Sequence, residues 1–271
     1  MAGYDKIPHQ HEKHEMFDVE ALSQYHPCVV SGVGRPEHYR TPRGSRTIVS
    51  HRYDKPVFFV INNKNDRIHI NQGKGQFYEF DQLSMMREHF PDGGTFLDVG
   101  GNIGNHSLFM TLLGRAAKVI PIEPNPDAVV LMLAAFMLNG VMDKVKLDGL
   151  GYGAGSKDED GYVIHNPKSN LGWTRIKKAE DGGVSVRTCD GIVGDDHVDL
   201  VKMDVEGFEI EALKGLEQTI KRDKPMLFIE VDHKNKEEFG ALMVKWDYAM
   251  VLEYKAGSIN QNSLFKHRSA L

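Results

Sequence analysis

The segment Asp98-Val99-Gly100-Gly101-Asn102-Ile103-Gly104 joins a short apolar run to an apolar helical stretch. Gly100 and Gly104 permit a tight turn and close backbone approach to a ligand. Asn102 tolerates left-handed geometry better than most residues. A bulky side chain here would fill the space a nucleoside needs. Glu123 follows 25 residues after Asp98, at the end of the next apolar run. A carboxylate at that point accepts two hydrogen bonds from a ribose diol. Pro124 and Pro126 shape the loop beyond it, and Asn125 caps the next helix. A strand-to-helix glycine turn or a strand-ending glutamate is ordinary by itself; together they point to a cofactor carrying a nucleoside.

The charge pattern narrows the choice. A dinucleotide site wants G-x-G-x-x-G with a pyrophosphate on the helix N-terminus. Here the turn is G-G-N-I-G, and the acid Asp98 stands just before it. That acid repels a pyrophosphate and suits a cationic amino-acid moiety. S-adenosylmethionine offers an ammonium, a sulfonium and a ribose without phosphate, so electrostatics favour it over NAD. Farther on, Leu200-Val201-Lys202-Met203-Asp204-Val205-Glu206-Gly207-Phe208-Glu209 carries acids where a strand meets the cleft. Asp204 is a candidate general base or orienter of a substrate hydroxyl. Glu230, ending a later strand, is the next candidate. His106 has the better unperturbed pKa for the task, although it could equally pack on its helix. Glu209 reads as a charge favouring a helix N-terminus.

These residues need a scaffold that gathers strand ends. Thr95–Val99, Lys118–Ile122, Val145–Leu147, Leu200–Met203 and Met226–Ile229 read as strands, separated by helical patterns over about 103–113, 127–139, 210–220 and 236–246. Such alternation implies βαβ units. A closing hairpin near 249–254 and 262–265 completes a doubly wound, mainly parallel, seven-stranded α/β sheet with an N-terminal extension. Ligands in such sheets bind outside the carboxyl ends of the strands. Residues 1–56 read as an irregular arm with His9, His11 and His14. Residues 57–92 read as a β-hairpin (Val57 to Ile70) plus a helix carrying Phe80, Leu83, Met86 and Phe90. Residues 93–271 hold the main domain.

The 271 residues suit one large domain or one with an appendage. The net charge of −5 disfavours a broad grip on nucleic acid or anionic membrane. Two cysteines, Cys28 and Cys189, build no disulfide framework or CxxC metal site, so a reducing, cytoplasmic compartment is expected. The longest apolar run, 128–138, is too short to span a bilayer, and the N-terminus has no secretory h-region.

The blocks D-V-G-G-N-I-G-N-H-S, I-E-P-N-P, V-K-M-D-V-E-G-F-E-I-E-A-L-K-G and F-I-E-V, in this order and spacing, resemble the FkbM-type methyltransferases. The resemblance covers about residues 66–231, and Gly75-Gln76-Phe77-Tyr78-Glu79 falls inside it. It implies a class I, Rossmann-like fold and S-adenosylmethionine-dependent O-methylation, often of sugars or secondary metabolites. It also implies that Asp98, Gly100, Asn102, Gly104 and Ser107 line the methionine side, that Glu123 holds the ribose, and that Asp204 faces the transferring methyl. Gly101 stands where the family usually has alanine, which leaves room in the turn. Gly151 likewise replaces an alanine, and Cys189 a leucine that reads as core.

The acceptor is expected to be a small molecule or glycan. The long segment 149–198 offers His165, Asn170, Trp173 and Arg175 to stack on or bond a sugar. The N-terminal arm would cover the same cleft or form a homodimer contact. Asp190, Asp195, Asp196, His197 and Asp204 could ligate a divalent ion, but acid-rich loops are more often solvated, and no metal is expected. The rival readings are an NAD-dependent oxidoreductase sharing the sheet and Glu123, and a non-catalytic module that keeps the fold.

Overall fold

Short β-prone runs punctuated by glycine, proline and aspartate set the strands, and the helices lie between them. A computed structural model describes residues 44–165, 175–179, 181–254 and 261–271. In chain order the elements are β1 (Arg46–Ser50), β2 (Val57–Ile61), α1 (Arg67–Gly73), α2 (Phe80–His89), β3 (Thr95–Val99), α3 (Asn105–Leu112), β4 (Lys118–Ile122) and α4 (Pro126–Leu138). There follow β5 (Tyr152–Gly155), β6 (Glu159–His165), β7 (Arg175–Lys178), β8 (Val184–Thr188), α5 (Cys189–Val193), β9 (Leu200–Met203), α6 (Glu209–Lys214) and α7 (Glu217–Asp223). The chain closes with β10 (Met226–Val231), α8 (Lys236–Lys245), β11 (Tyr248–Tyr254) and β12 (Gln261–His267).

The main sheet runs β11-β12-β10-β9-β3-β4. The pairs β3–β4, β3–β9 and β9–β10 are parallel, and the closing hairpin pairs antiparallel onto β10. From β3 the chain steps one way to β4, and from β9 the other way to β10. The β3/β9 seam is therefore the switch point at which open α/β sheets bind ligands. Each parallel strand is buried on both faces. Leu97, Val99, Ile120, Val201, Met203, Leu227 and Ile229 join one core with α5, α6, α7 and α8. Phe96, Val119, Leu200 and Phe228 alternate to the other, with α2, α3, α4 and β2. Helix α4 is buried almost all round because it serves both the second core and a third small cluster with Leu147 and Leu150. Among the described residues, no helix is long and apolar enough to cross a membrane.

Four expectations need correction. Val57–Ile70 is not a hairpin: β2 pairs antiparallel with β1, which lies in the stretch read as irregular. The alternating Arg67-Ile68-His69-Ile70 coils into α1 because Asp66 caps it, its Oδ1 accepting from Ile68 N (2.8 Å) and His69 N (3.3 Å). Val145–Leu147 forms no strand. Only isolated bridges, Val119↔Val145 and Glu123↔Leu150, run along β4, so the main sheet has six strands rather than seven. The intervening segment instead builds a separate four-stranded sheet, β5-β8-β6-β7. Finally, the helix expected over 210–220 splits at Gly215, where a Cβ would lie 1.9 Å from the Gly155 carbonyl.

Candidate active site

Strand register puts the first two site residues side by side: Asp98 of β3 pairs directly with Lys202 of β9. Both are buried. The Lys202 ammonium donates to the Gly100 carbonyl at 3.0 Å and lies 3.7 Å from Asp98 Oδ1 and 3.8 Å from Asp204 Oδ2. Burial alone would lower its pKa. Asp204, Asp98, Glu79 and Glu230 outweigh burial and hold it above the ordinary lysine value. The sequence pattern assigns Lys202 no site role, yet it is the hub of this cluster. A lysine inside a four-residue strand otherwise wholly apolar is itself a signal, because such a side chain is buried only if paired.

The glycine turn is shaped by the protein's own packing. Gly100 has φ +79°, and a Cβ there would sit 1.9 Å from the Asp204 carbonyl oxygen. Gly104 has φ +80° and faces Met132 and Phe136 of α4. The room left by Gly101 is taken up by Met132, whose Cε would be 3.1 Å from an added Cβ. Asn102 adopts the expected left-handed backbone (φ 48°). Asp98 turns its Oδ2 onto the start of α3, accepting from Ser107 N (3.1 Å) and Ser107 Oγ (2.7 Å). Ser107 thus spends its hydroxyl on Asp98. Glu123 accepts one backbone N–H at each oxygen, Asn102 N at Oε2 and Asn125 N at Oε1, both at 2.8 Å. Its second lone pairs remain for a diol. Burial pushes Glu123 up to about 7, against those bonds and Lys202. Asn125 caps α4 by accepting from Asp127 N, with Pro126 in the first turn; Pro124 leads into that cap.

A second wall comes from outside the core strands. Asn105 clamps the backbone of Tyr78: its Nδ2 donates to Tyr78 O (3.0 Å) and its Oδ1 accepts from Tyr78 N (3.1 Å). The next residue, Glu79, is left-handed (φ 55°), with Oε2 3.6 Å from His106 Nε2. His106 is held well below its ordinary pKa by burial and by Lys202, and is neutral. Glu206, also left-handed at φ 51°, is raised to about 7 by burial and Asp204, against its contact with Arg175 (3.6 Å). Arg175 also reaches Asp232 (4.0 Å), so the inserted sheet touches the cleft edge. Glu209 behaves as expected of a helix-start acid, accepting from Gly207 N at 2.6 Å and from Asn235 Nδ2 at 2.5 Å.

The structure brings Asp98, the glycine turn, Ser107, Glu123, Asp204, His106 and Glu230 to one end of the sheet, around Lys202. Glu230 acts on Lys202 electrostatically from β10. The other acids considered for a metal go elsewhere. Asp190 caps α7 through Thr219 and Gln218, Asp196 pairs with Lys118 and Lys146, and His197 lies by Asp199 and Asp223. Asp199 Oδ2 accepts from Thr95 N, which fixes that group at the opposite end of β3. His165 ends β6, and Asn170 and Trp173 lie outside the described residues, as do Cys28 and the N-terminal histidines. Cys189 is buried core, its thiol pushed up to about 12 by burial.

Residues of this end fit S-adenosylmethionine. Asp98 Oδ1, Asn102 Oδ1 and His106 Nε2 are buried without a hydrogen-bond partner. Five acids, Glu79, Asp98, Glu123, Asp204 and Glu230, interact with a single buried cation, Lys202. That donor set is short of positive charge and rich in acceptors, matching an ammonium, a sulfonium and a ribose diol.

The sequence profile of the methyltransferase FkbM domain family matches residues 98–258. The hexuronic acid methyltransferase AglP of Haloferax volcanii is 29% identical over 146 residues, 51% of this chain and 56% of that protein. A methyltransferase FkbM from Methylobacillus flagellatus KT is 23% identical, with a TM-score of 0.49 over 65% of this chain and 44% of that one. A tRNA m1G37 methyltransferase of M. jannaschii is 12% identical, with a TM-score of 0.49 over 82% and 55%. The chain thus spans little more than half the length of the curated relative it matches.

Proposed function

The chain belongs to the FkbM methyltransferase domain family, and on that premise we propose that it transfers a methyl group from S-adenosylmethionine to a hydroxyl of a sugar or glycan. The observation that carries this reading is the Glu123 carboxylate. It is buried beside the glycine turn, and each oxygen holds one backbone N–H and keeps a further acceptor lone pair. The sugar acceptor is supported by the 29% identity to a protein described as a hexuronic acid methyltransferase.

When bound, the cofactor supplies an electrophilic methyl group on a sulfonium. The chain's own residues supply position and field. Glu123 receives the ribose hydroxyls, while Asp98 Oδ1 and Asn102 Oδ1 receive the amino-acid end. Lys202 keeps Asp98 and Asp204 in place through contacts at 3.7 and 3.8 Å. Holding two reactants aligned supplies much of the rate in such a displacement. An alcohol nucleophile also needs a proton acceptor as its bond forms. Acids for that purpose stand at the same edge: Glu79, Asp204 and Glu230.

The oxidoreductase reading has less support. Asp98 occupies the N-terminal turn of α3 through Ser107 N and Oγ, the position a dinucleotide pyrophosphate would need.

Incubation with S-adenosylmethionine labelled on the methyl group and a panel of uronic-acid and neutral-sugar glycosides tests the proposal. Label is expected in a glycoside methyl ether identified by mass spectrometry. Label found only in proteins, nucleic acids or amines of an added extract would overturn the acceptor class.

A further inference from the structure

We propose that Glu79 is the group that takes the proton from the acceptor hydroxyl, with His106 as its neutral backing. This rests on the methyl-transfer reading above and names a residue outside the conspicuous strand-end motifs. As the acceptor oxygen bonds to the methyl carbon, the carbon–sulfur bond breaks and its electron pair stays on sulfur, giving a neutral thioether. The hydroxyl proton passes to the Glu79 carboxylate, which then returns it to solvent across its exposed quarter.

Geometry distinguishes Glu79 from Asp204 and Glu230. Its backbone is left-handed, which a side-chain-bearing residue avoids unless its surroundings enforce it. The enforcement is visible: Asn105 grips both the N–H and the carbonyl of Tyr78, and Gln72 Nε2 donates to the same Asn105 Oδ1 at 3.3 Å. Glu79 and Glu206, both left-handed non-glycine residues, lie in the field of the same Asp204. Opposite Glu79 Oε2, at 3.6 Å, stands His106 Nε2, a buried nitrogen without a hydrogen-bond partner. Asp204, by contrast, is paired with the Lys202 ammonium.

The charges facing Glu79 are those of a group suited to accept and release a proton near neutrality. Burial and Asp204 push it up to about 7, while Lys202 and the hydrogen bond from the Tyr78 hydroxyl restrain it. Arg67 in turn engages Tyr78, Tyr254 approaches from β11, and His106 is neutral on α3. A carboxylate titrating near the working pH is the efficient general base.

Glu79→Gln, nearly isosteric, tests this against a mere cofactor-holding role. Calorimetry with S-adenosylhomocysteine first establishes that the unaltered enzyme binds the cofactor product; no binding there sinks the methyl-transfer reading itself, and this proposal with it. Given binding, Glu79→Gln is expected to keep the dissociation constant within about twofold. It should remove one of the carbon-13 carboxyl signals that titrate near 7. With 4-nitrophenyl glucuronide as acceptor, kcat should fall about 100-fold or more. Its low-pH limb should vanish, leaving KM little changed. Tyr78→Phe, which keeps the carboxyl but removes its hydrogen bond, should move the limb and the same signal to higher pH. An affinity loss of tenfold or more would make Glu79 a cofactor ligand and overturn the proposal. So would an unchanged kcat, or a Glu79 signal that does not titrate near 7.

Discussion

The two ends of the parallel sheet treat charge in opposite ways. At the carboxyl end, Glu79, Glu123 and Glu206 are all raised to about 7, chiefly by burial. Other acids surround them; Glu79 and Glu123 share Lys202, Glu206 lies 3.6 Å from Arg175, and nearby polar atoms have no hydrogen-bond partner. At the amino end, burial also acts on Asp196 and Asp223, but their partners win. Lys118 and Lys146 hold Asp196 below the usual carboxylate range, and Arg222, Val198 N and His197 do the same for Asp223. At the amino end the partners outweigh burial; at the carboxyl end burial outweighs the partners. Carboxyl groups a strand's length apart are therefore shifted in opposite directions by their partners. Perturbed groups of this kind concentrate where a protein does chemistry.

The largest contrast between the ends comes from two glycines with the same φ of +79°. Gly93 precedes β3 and has open space where a Cβ would go; Gly100 follows β3 and faces the Asp204 carbonyl at 1.9 Å. Gly93→Ala should cost only the backbone strain, ~1–2 kcal/mol. Gly100→Ala should cost more than about 4 kcal/mol or prevent folding, as clashes with fixed backbone do. Equal losses in urea denaturation would show that the turn is not tied to β9.

Next in size is Lys202→Met. It leaves Asp98 buried beside other acids without its counter-charge, at an expected cost of ~3–5 kcal/mol. A loss below about 1 kcal/mol would show that Lys202 is not what balances the buried acids.

Smaller again is the response to pH, and its sign differs between the ends. The three glutamates have folded values above their unfolded one, so their stabilising contribution is full below about 4.5 and is lost as pH rises through about 7. Each contributes at most about 1.4 kcal/mol per pH unit in that window. Asp196 and Asp223 have lowered values, so theirs is present above the unfolded value and lost as pH falls through the folded one. Thermal unfolding of the free protein should therefore weaken from pH 5 toward 7.5, and Glu123→Gln should flatten that slope. Asp196→Asn should leave it unchanged, costing ~1 kcal/mol or less, as a partly exposed ion pair does. A slope that Glu123→Gln leaves intact would contradict the division.

Much of the carboxyl end is legible in sequence because its devices are local. The glycine turn, the strand-ending Glu123 and the apolar β3, β4, β9 and β10 are each contiguous, and α/β topology brings their ends together. What escapes is set at a distance. Glu79 reaches the site because Asn105, 26 residues later, grips the peptide beside it. Lys202 looks like one polar residue in V-K-M-D until strand register sets it against Asp98. The false hairpin arises where two local preferences compete: Arg67–Ile70 alternates like a strand, but the Asp66 cap starts a helix. The missing seventh strand fails because Asp148-Gly149 interrupts its ladder along β4, leaving two bridges.

The most direct test is calorimetric titration of the intact protein and its Glu123→Ala variant with S-adenosylhomocysteine, and separately with NAD. Saturable one-to-one binding of S-adenosylhomocysteine to the intact protein is expected, with a loss of at least 100-fold in the variant and no heat with NAD. Binding that survives loss of Glu123 unchanged, or a preference for NAD, would contradict it.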